Sequence, residues 1–407
     1  MKALVLAGGF PQIALINELS KRGITTVLAD YYENPVAKPY ADKFYRASTL
    51  DVEAITKIAM DENVDFLITA CTDQALLTVA KVSEELGLPC YIDYKTALNV
   101  TNKSYMKEVF EKNAIPTAKH VVMSELDEFV IKSLKYPLIV KPVDCNSSKG
   151  VKKVFNFEEL KPAFNDAVRF SRTNTAIVEE FIVGEELSAD VYVENGVAHI
   201  LSVSSLEKIA DNDKFVIFRG FYSHKRTEKV KGVVQKIAQQ IASSFGIVNS
   251  PMLIQMIYDG ENAYVLEFSA RTGGGVKYLL INKASGFDVI SAVVDLTLGK
   301  KPTVKRIEPQ NEYIVNEFIY CSPGKFKSLY GFDELKDQNV ISDYYLFKWE
   351  GAVFSTIENS GDRIAGFTIQ GDTLQEIREK HNVAVEKMAV LDENGNDIMR
   401  KDLLTSL

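Results

Sequence analysis

With 407 residues, 46% of them hydrophobic and 25% charged, the chain has ordinary globular composition and is too long for one core, so two or three domains are expected. A formal net charge of -8 argues against the basic surplus that a nucleic-acid backbone requires, and any nucleotide bound should be small. The four cysteines, Cys71, Cys90, Cys145 and Cys321, stand far apart with no CxxC or Cys/His cluster, which points to neither a disulfide framework nor a zinc site and fits a reducing cytosol.

The apolar run at residues 3–7 is too short to span a membrane and lacks a signal-peptide cleavage pattern, so a soluble, cytoplasmic protein is expected. Up to about residue 95, short apolar runs alternate with helix-like segments, the pattern of a parallel sheet with crossover helices. Strands are expected at residues 3–7, 25–29, 66–69 and 90–92. Pro11 opens a helix carrying Ile13, Ile16 and Leu19, and Val52, Ile55 and Ile58 line another. Residues 1–100 therefore read as a Rossmann-like domain. The turn Gly8-Gly9-Phe10-Pro11 and the strand-end Asp30 raise a dinucleotide site, but the third glycine of GxGxxG is missing, which favours a tight strand-to-helix turn with Asp30 as a strand-end polar residue.

A helix with Thr/Asn cap chemistry is expected over residues 101–110, followed by strands at 118–122 and 138–140 with a helix after Ser124 between them. Residues 176–204 are rich in strand signals, with Asn195-Gly196 as a hairpin turn. Val230, Val233, Val234, Ile237 and Ile241 mark a long amphipathic helix. Past about Lys301 the runs shorten, and Pro302, Pro309 and Pro323 punctuate them. A boundary near residue 305 leaves 306–407 as a small α+β lobe with one clear helix at 373–380.

The most informative segment is 252–275, MLIQMIYDGENAYVLEFSARTGGG, a hairpin around Asp259 to Asn262. Glu267, Ser269 and Arg271 fall two apart and share one face with Val265, leaving Leu266 and Phe268 for the core. Setting Gln255 opposite Glu267 requires a three-residue loop, Gly260 to Asn262. Glu267, with Gln255, would supply oxygen ligands to Mg²⁺, and Arg271 would hold phosphate oxygens. Thr272, Gly273, Gly274 and Gly275 offer bare backbone N–H groups to an anion, whereas a plain amphipathic hairpin would leave its charges solvated.

In YPLIVKPVDCNSSKGV a strand delivers Lys141 to its end, and Ser147, Ser148, Lys149 and Gly150 form a small polar loop able to cover phosphates or to serve as an ordinary hairpin loop. In AIVEEFIVGEE a strand ends at Glu179, Glu180, Phe181 and Ile182, where main chain could pair with adenine, and Gly184 lets Glu186 turn toward a ribose diol; alone it is a strand with an acidic end. Lone histidines are more often surface or packed residues than catalysts; of the four, only His224, in FRGFYSHKR, could face a substrate.

Taken in order, these clusters resemble the ATP-grasp superfamily over roughly residues 1–300, particularly the branch holding carbamoyl-phosphate synthase, biotin carboxylase, the purine-pathway ligases and the bacterial L-amino acid ligases. The resemblance implies an ATP-grasp α/β fold: a Rossmann-like pre-ATP-grasp domain, an ATP-grasp domain over 101–305 with its small lobe at about 115–185, and the C-terminal lobe. It implies that Lys103 and Lys141 grip ATP phosphates, that Ser147 to Gly150 form the lid, that Glu179 to Ile182 form the adenine hinge and that Glu186 binds ribose. It makes Gln255, Glu267 and Ser269 the metal positions, Ser269 standing where the family has asparagine. The implied cofactors are ATP and Mg²⁺, with Mn²⁺ as a substitute. The implied activity joins a small carboxylic acid, amino acids included, to an amine through an acyl phosphate. Lys141 and Arg271 are the catalytic candidates, and Arg271, Thr272 to Gly275 and His224 the substrate-binding ones. The alternatives are a bicarbonate-activating enzyme resembling carbamoyl-phosphate synthase and a nucleotide-binding relative without turnover. No nucleic-acid or membrane partner is expected, and a homodimer is compatible with the chain.

Overall fold

The computed structural model describes residues 1–145, 150–209, 215–305, 307–405 and 407. Near the N-terminus, four parallel strands stand in the order Lys43–Arg46, Thr25–Asp30, Lys2–Leu6 and Phe66–Ile68. Strand Lys2–Leu6 is central and buried on both faces, as its unbroken apolar run requires. Helix Phe10–Lys21 covers one face, together with Val289–Thr297 from much later in the chain, while helices Val52–Asp61 and Asp73–Leu86 cover the other. Two expectations are corrected here. Residues 90–92 form no strand: the Tyr91 hydroxyl reaches 3.1 Å to the carbonyl of Ala270, so the segment ties this lobe to the next instead of extending the sheet. The fourth strand is instead Lys43–Arg46, half exposed at the edge and too polar to stand out as an apolar run.

Asp30 is a turn-closing residue. Its carboxylate accepts from the amides of Gly8 at 2.6 Å and Tyr32 at 2.7 Å, and a Cβ on Gly8 would lie 2.5 Å from Pro35. The groups that would receive a dinucleotide are thus engaged in holding the turn.

Helix Lys103–Lys112, capped by Asn102, leads into a four-stranded antiparallel sheet ordered His120–Met123, Ala176–Glu180, Leu138–Pro142 and Lys152–Val154. Helix Phe157–Phe170 packs on it through Leu160, Ala163, Phe164 and Ala167, an i, i+3, i+4, i+7 stripe.

The largest sheet has eight strands, in the order Ala263–Ser269, Ser250–Tyr258, Glu185–Glu194, Val197–Lys208, Ile217–Ser223, Tyr313–Ile319, Ala365–Gly371 and Asp343–Leu346. It runs without a break past residue 305 and takes its last three strands from beyond it. Asn195 and Gly196 both take positive φ, 50° and 81°, as a two-residue hairpin demands. Helix His224–Ser244 packs on one face through Val230, Val234, Ile237 and Ile241. Strand alternation places the site: Leu187, Ala189 and Val191 of one strand and Met252, Ile254 and Met256 of its neighbour face that core. Glu186 and Ser188, and Leu253, Gln255 and Ile257, therefore face the other way.

Gln255 does pair with Glu267, by a different route from the one expected. The loop has four residues, because Tyr258 pairs with Ala263 and the amide of Asp259 donates to Asn262. A bulge at Leu266, between the Gln255 and Met256 pairs, restores the register. The extra residue sends Val265 into the core with Phe268 and turns Leu266 to the same side as Glu267, reversing the expected faces of 265 and 266.

Candidate functional site

The cleft between the small antiparallel sheet and the eight-stranded sheet contains a cavity of about 350 Å³. Ile139, Phe181 and Ile182 line it from the small lobe, and Leu206, Ile217, Ile257 and Leu266 from the large sheet, giving two apolar walls suited to a flat ring. At the hinge, the amides of Glu180 and Phe181 are held by the carbonyls of Lys119 and Pro137. The Ile182 amide has no backbone partner among the described residues, and Ile182 lines the cavity. Gly184 is needed here because a Cβ would come within 2.6 Å of Ile257 and of the Tyr258 carbonyl.

Lysines gather at the other end of this cavity. The Lys103 ammonium lies 3.0 Å from Glu267 and donates to the Cys145 carbonyl at 2.8 Å. Burial opposes the charges on both partners, yet the pair prevails, raising the Lys103 pKa and lowering that of Glu267. Lys141 is 2.5 Å from Glu179, which also faces Lys107 at 2.8 Å. Burial disfavours the Glu179 carboxylate, but the two lysines overcome it and hold its pKa at about 2. Glu186 pairs with Lys208 on the facing wall.

Glu179 should therefore shape the acid limb of stability. Its folded-state pKa lies below the ordinary value of 4.5, so its contribution is fully present above about pH 4.5 and is lost as pH falls toward 2. The shift corresponds to about 3 kcal/mol for this fully buried group. Denaturant unfolding followed from pH 6 to pH 2.5 should lose stability on that order, and a flat profile would contradict the buried double pairing.

A second cavity of about 260 Å³ adjoins the first, and Leu206, Ile217, Gln255 and Glu267 line both. It is lined by Asp73, Ser188, Ser204, Arg271, Gly273, Gly274, Lys277, Asn316 and Arg363, so three lobes meet there. Asp73, at the start of helix Asp73–Leu86, takes Arg271 in a two-point grip: Nε donates to Oδ1 at 2.7 Å and Nη2 to Oδ2. Burial would raise the Asp73 pKa, but Arg271 outweighs it and the net direction is down. Lys277 donates to Ser204 at 2.5 Å and stands 3.3 Å from the buried Asp190. Arg363 stacks 3.8 Å over the Phe318 ring and donates to the Tyr320 hydroxyl, the Ile217 carbonyl and Ser360. Among the described residues no carboxylate pairs with Arg363.

The structure thus brings Lys103, Lys141, Glu179 to Ile182, Glu186, Gln255 and Glu267 to the first cavity, and Gln255, Glu267, Arg271, Gly273 and Gly274 to the second. Ser269 lines neither, and its hydroxyl bonds Asp73. Thr272 is buried, and Gly275 sits against Phe318, where a Cβ would come within 3.3 Å. His224 lines neither cavity: it opens helix His224–Ser244, whose start the Ser223 cap fixes, and faces Glu308 at 3.5 Å. Ser147, Ser148 and Lys149 lie outside the described residues; Gly150, with φ of +71°, is close-packed against Pro142 and Phe170. Sequence reading missed Asp73, Lys107, Lys277 and Arg363. Only Lys107 carried a local signal, four residues beyond Lys103 on the same helical face.

Residues 134–278 match the family model for the ATP-grasp domain. This segment of the chain is an ATP-grasp domain. The matched segment takes in Lys141, Glu179, Glu186, Gln255, Glu267 and Arg271, and the ATP-grasp relatives are ligases, enzymes that form carbon–nitrogen bonds. Phosphoribosylamine–glycine ligase of Lactococcus lactis is 23% identical over 275 residues, which is 64% of this chain and 66% of that protein, just under two thirds of its length. The L-amino acid ligase of Bacillus licheniformis superposes with a TM-score of 0.78 at 18% identity, covering 97% of this chain and 99% of that one. The biotin carboxylase domain of Hydrogenobacter thermophilus 2-oxoglutarate carboxylase, in complex with MgADP and bicarbonate, superposes with a TM-score of 0.81 at 18% identity over 99% and 92% of the two chains. The ATP-grasp fold accordingly extends over the whole chain. Among the described residues no helix is long and apolar enough to cross a membrane.

Proposed function

We propose that this protein is an ATP-dependent carboxylate–amine ligase acting on amino acids or small carboxylic acids. The observation that carries the reading is the position of Glu267 in the wall shared by the two cavities, with Lys103 and Lys141 on one side and Arg271 on the other. An adenine ring fits the apolar slot beside the Ile182 amide, and Glu186 is placed for the ribose. The triphosphate then runs toward Lys103 and Lys141.

The donor set fits Mg²⁺: Glu267 and Gln255 present side-chain oxygens at the junction, and hard cations of this size take one or two protein oxygens and complete their shell from phosphates and water. When bound, the ion neutralises phosphate charge. Ser269 bonds Asp73 and lines neither cavity, so the proposal rests the metal on Glu267 and Gln255 alone.

Phosphoryl transfer needs in-line placement and charge neutralisation more than a protein nucleophile. Lys103 and Lys141 hold the phosphates, and Arg271 presents the acid. One carboxylate oxygen of the acid attacks the γ-phosphorus as the bond to the β-phosphate bridging oxygen breaks, giving ADP and an acyl phosphate. The amine then attacks the acyl carbon, phosphate leaves, and the ammonium proton passes to solvent or to phosphate. The N–H groups around Gly273 and Gly274 are placed to hold the developing oxyanion.

Lys277 and Arg363 enlarge the anion-binding wall of the second cavity and favour an acid with a further anionic group. The test is an ADP-release screen over pairs of amines with monocarboxylic and doubly anionic acids, with bicarbonate as a separate arm. ADP should appear only with acid and amine together, most strongly for the doubly anionic acids. ATPase activity with bicarbonate alone, or nucleotide binding without ADP formation in any arm, would overturn the ligase reading.

A further inference from the structure

Lys107 is a buried charged group that shares the partner of Lys141 and that the proposed chemistry does not use. It is 1% exposed and lines neither cavity. Its ammonium lies 2.8 Å from one oxygen of Glu179, while Lys141 lies 2.5 Å from the other. Its remaining partner is neutral: it donates to the Thr117 hydroxyl at 2.6 Å, and that hydroxyl donates to the Val265 carbonyl at 2.7 Å. Two ammonium groups therefore share one carboxylate that is 3% exposed. Among the described residues no second carboxylate forms an ion pair with either lysine.

A single buried lysine and glutamate form a neutral pair, and Lys141 in such a pair would have its charge cancelled before a phosphate arrived. The second lysine leaves the trio with one net positive charge. Uncompensated buried charge is costly and persists where a partner settles it. The open end of the trio is Lys141, whose side chain is 10% exposed and lines the cavity, against 1% for Lys107. Charge introduced at Lys107 is thus felt at Lys141.

We propose that Lys107 is a positioning residue for the nucleotide, balancing Glu179 so that Lys141 meets the phosphates with its full charge. The inference rests on the nucleotide-binding reading of the cleft, and the experiment separates the two. Calorimetry with Mg²⁺ and a non-hydrolysable ATP analogue would compare the wild type with Lys107→Met, Lys107→Arg and the double variant Lys107→Met/Glu179→Gln. Lys107→Met neutralises the trio and should weaken binding by at least about tenfold. Lys107→Arg should recover most of the loss. The double variant returns the trio to one positive charge and should also bind within a few-fold of the wild type, although it lacks two native side chains. A packing role predicts the reverse, with the double variant no better than the single. That result, or wild-type affinity in Lys107→Met, overturns the charge-balance inference. Absence of binding by the wild type overturns the reading of the cleft itself. The double variant keeps the wild-type local charge, so its affinity decides the matter even if Lys107→Met folds poorly.

Discussion

Glu267→Gln is expected to lower ADP formation by roughly 10³-fold or more with little change in thermal unfolding. The substitution keeps size and hydrogen-bonding reach while removing the one carboxylate that, among the described residues, borders both cavities. Three consequences follow together. Lys103 loses the partner 3.0 Å away that now fixes its position, the oxygens proposed for the metal lose their only formal charge, and the two cavities lose the carboxylate between them. The stability loss should stay small beside the loss of activity, because glutamine still offers Lys103 an oxygen, the Glu267 side chain is 36% exposed, and Lys103, itself 10% exposed, retains the Cys145 carbonyl at 2.8 Å. A coupled ADP assay run beside a thermal melt separates chemistry from folding. Turnover within tenfold of the wild type would remove Glu267 from the mechanism.

What the sequence disclosed about this site follows from how local each signal is. Period-two alternation assigned Gln255 and Glu267 to one face, and helical capping fixed the start of the helix that bears Lys103, because both depend on residues within a few positions. The bulge at Leu266 was hidden, since a bulge and a shorter loop bring Gln255 opposite Glu267 equally well. Helix Phe157–Phe170 carries a clear apolar stripe and an Asn156 cap, but Pro162 falls inside it and breaks the pattern a reader looks for. The continuity of the eight-stranded sheet past residue 305 depends on pairing between Ile217–Ser223 and Tyr313–Ile319, which no local window contains. Asp73 is the extreme case: its partner Arg271 is 198 residues away, and TDQALL reads as an ordinary helix start.

That long-range pair should show the largest effect on stability. Asp73→Ala leaves the Arg271 guanidinium, 14% exposed, without its two-point partner, and breaking a buried pair from one side costs about 3–5 kcal/mol. Arg271→Ala strands the Asp73 carboxylate at a similar cost. The double variant strands neither charge, so its loss should fall well short of the sum, a coupling that denaturant unfolding of the four proteins measures directly. The pH dependence has a definite sign. The folded Asp73 pKa is depressed, so its contribution is present above the ordinary carboxylate range and fades on acidification. Stability differences between wild type and Asp73→Ala should therefore narrow as pH falls below about 4. The functional consequence is distinct from the structural one. Arg271 freed of Asp73 keeps its charge but loses its fixed direction, so under the proposed function the Michaelis constant for the acid should rise while that for ATP, assigned by the proposal to the neighbouring cavity, stays within a few-fold. Equal rises in both constants, or additive stability losses, would mean that Asp73 merely holds the N-terminal lobe in place and does not orient the arginine that presents the acid.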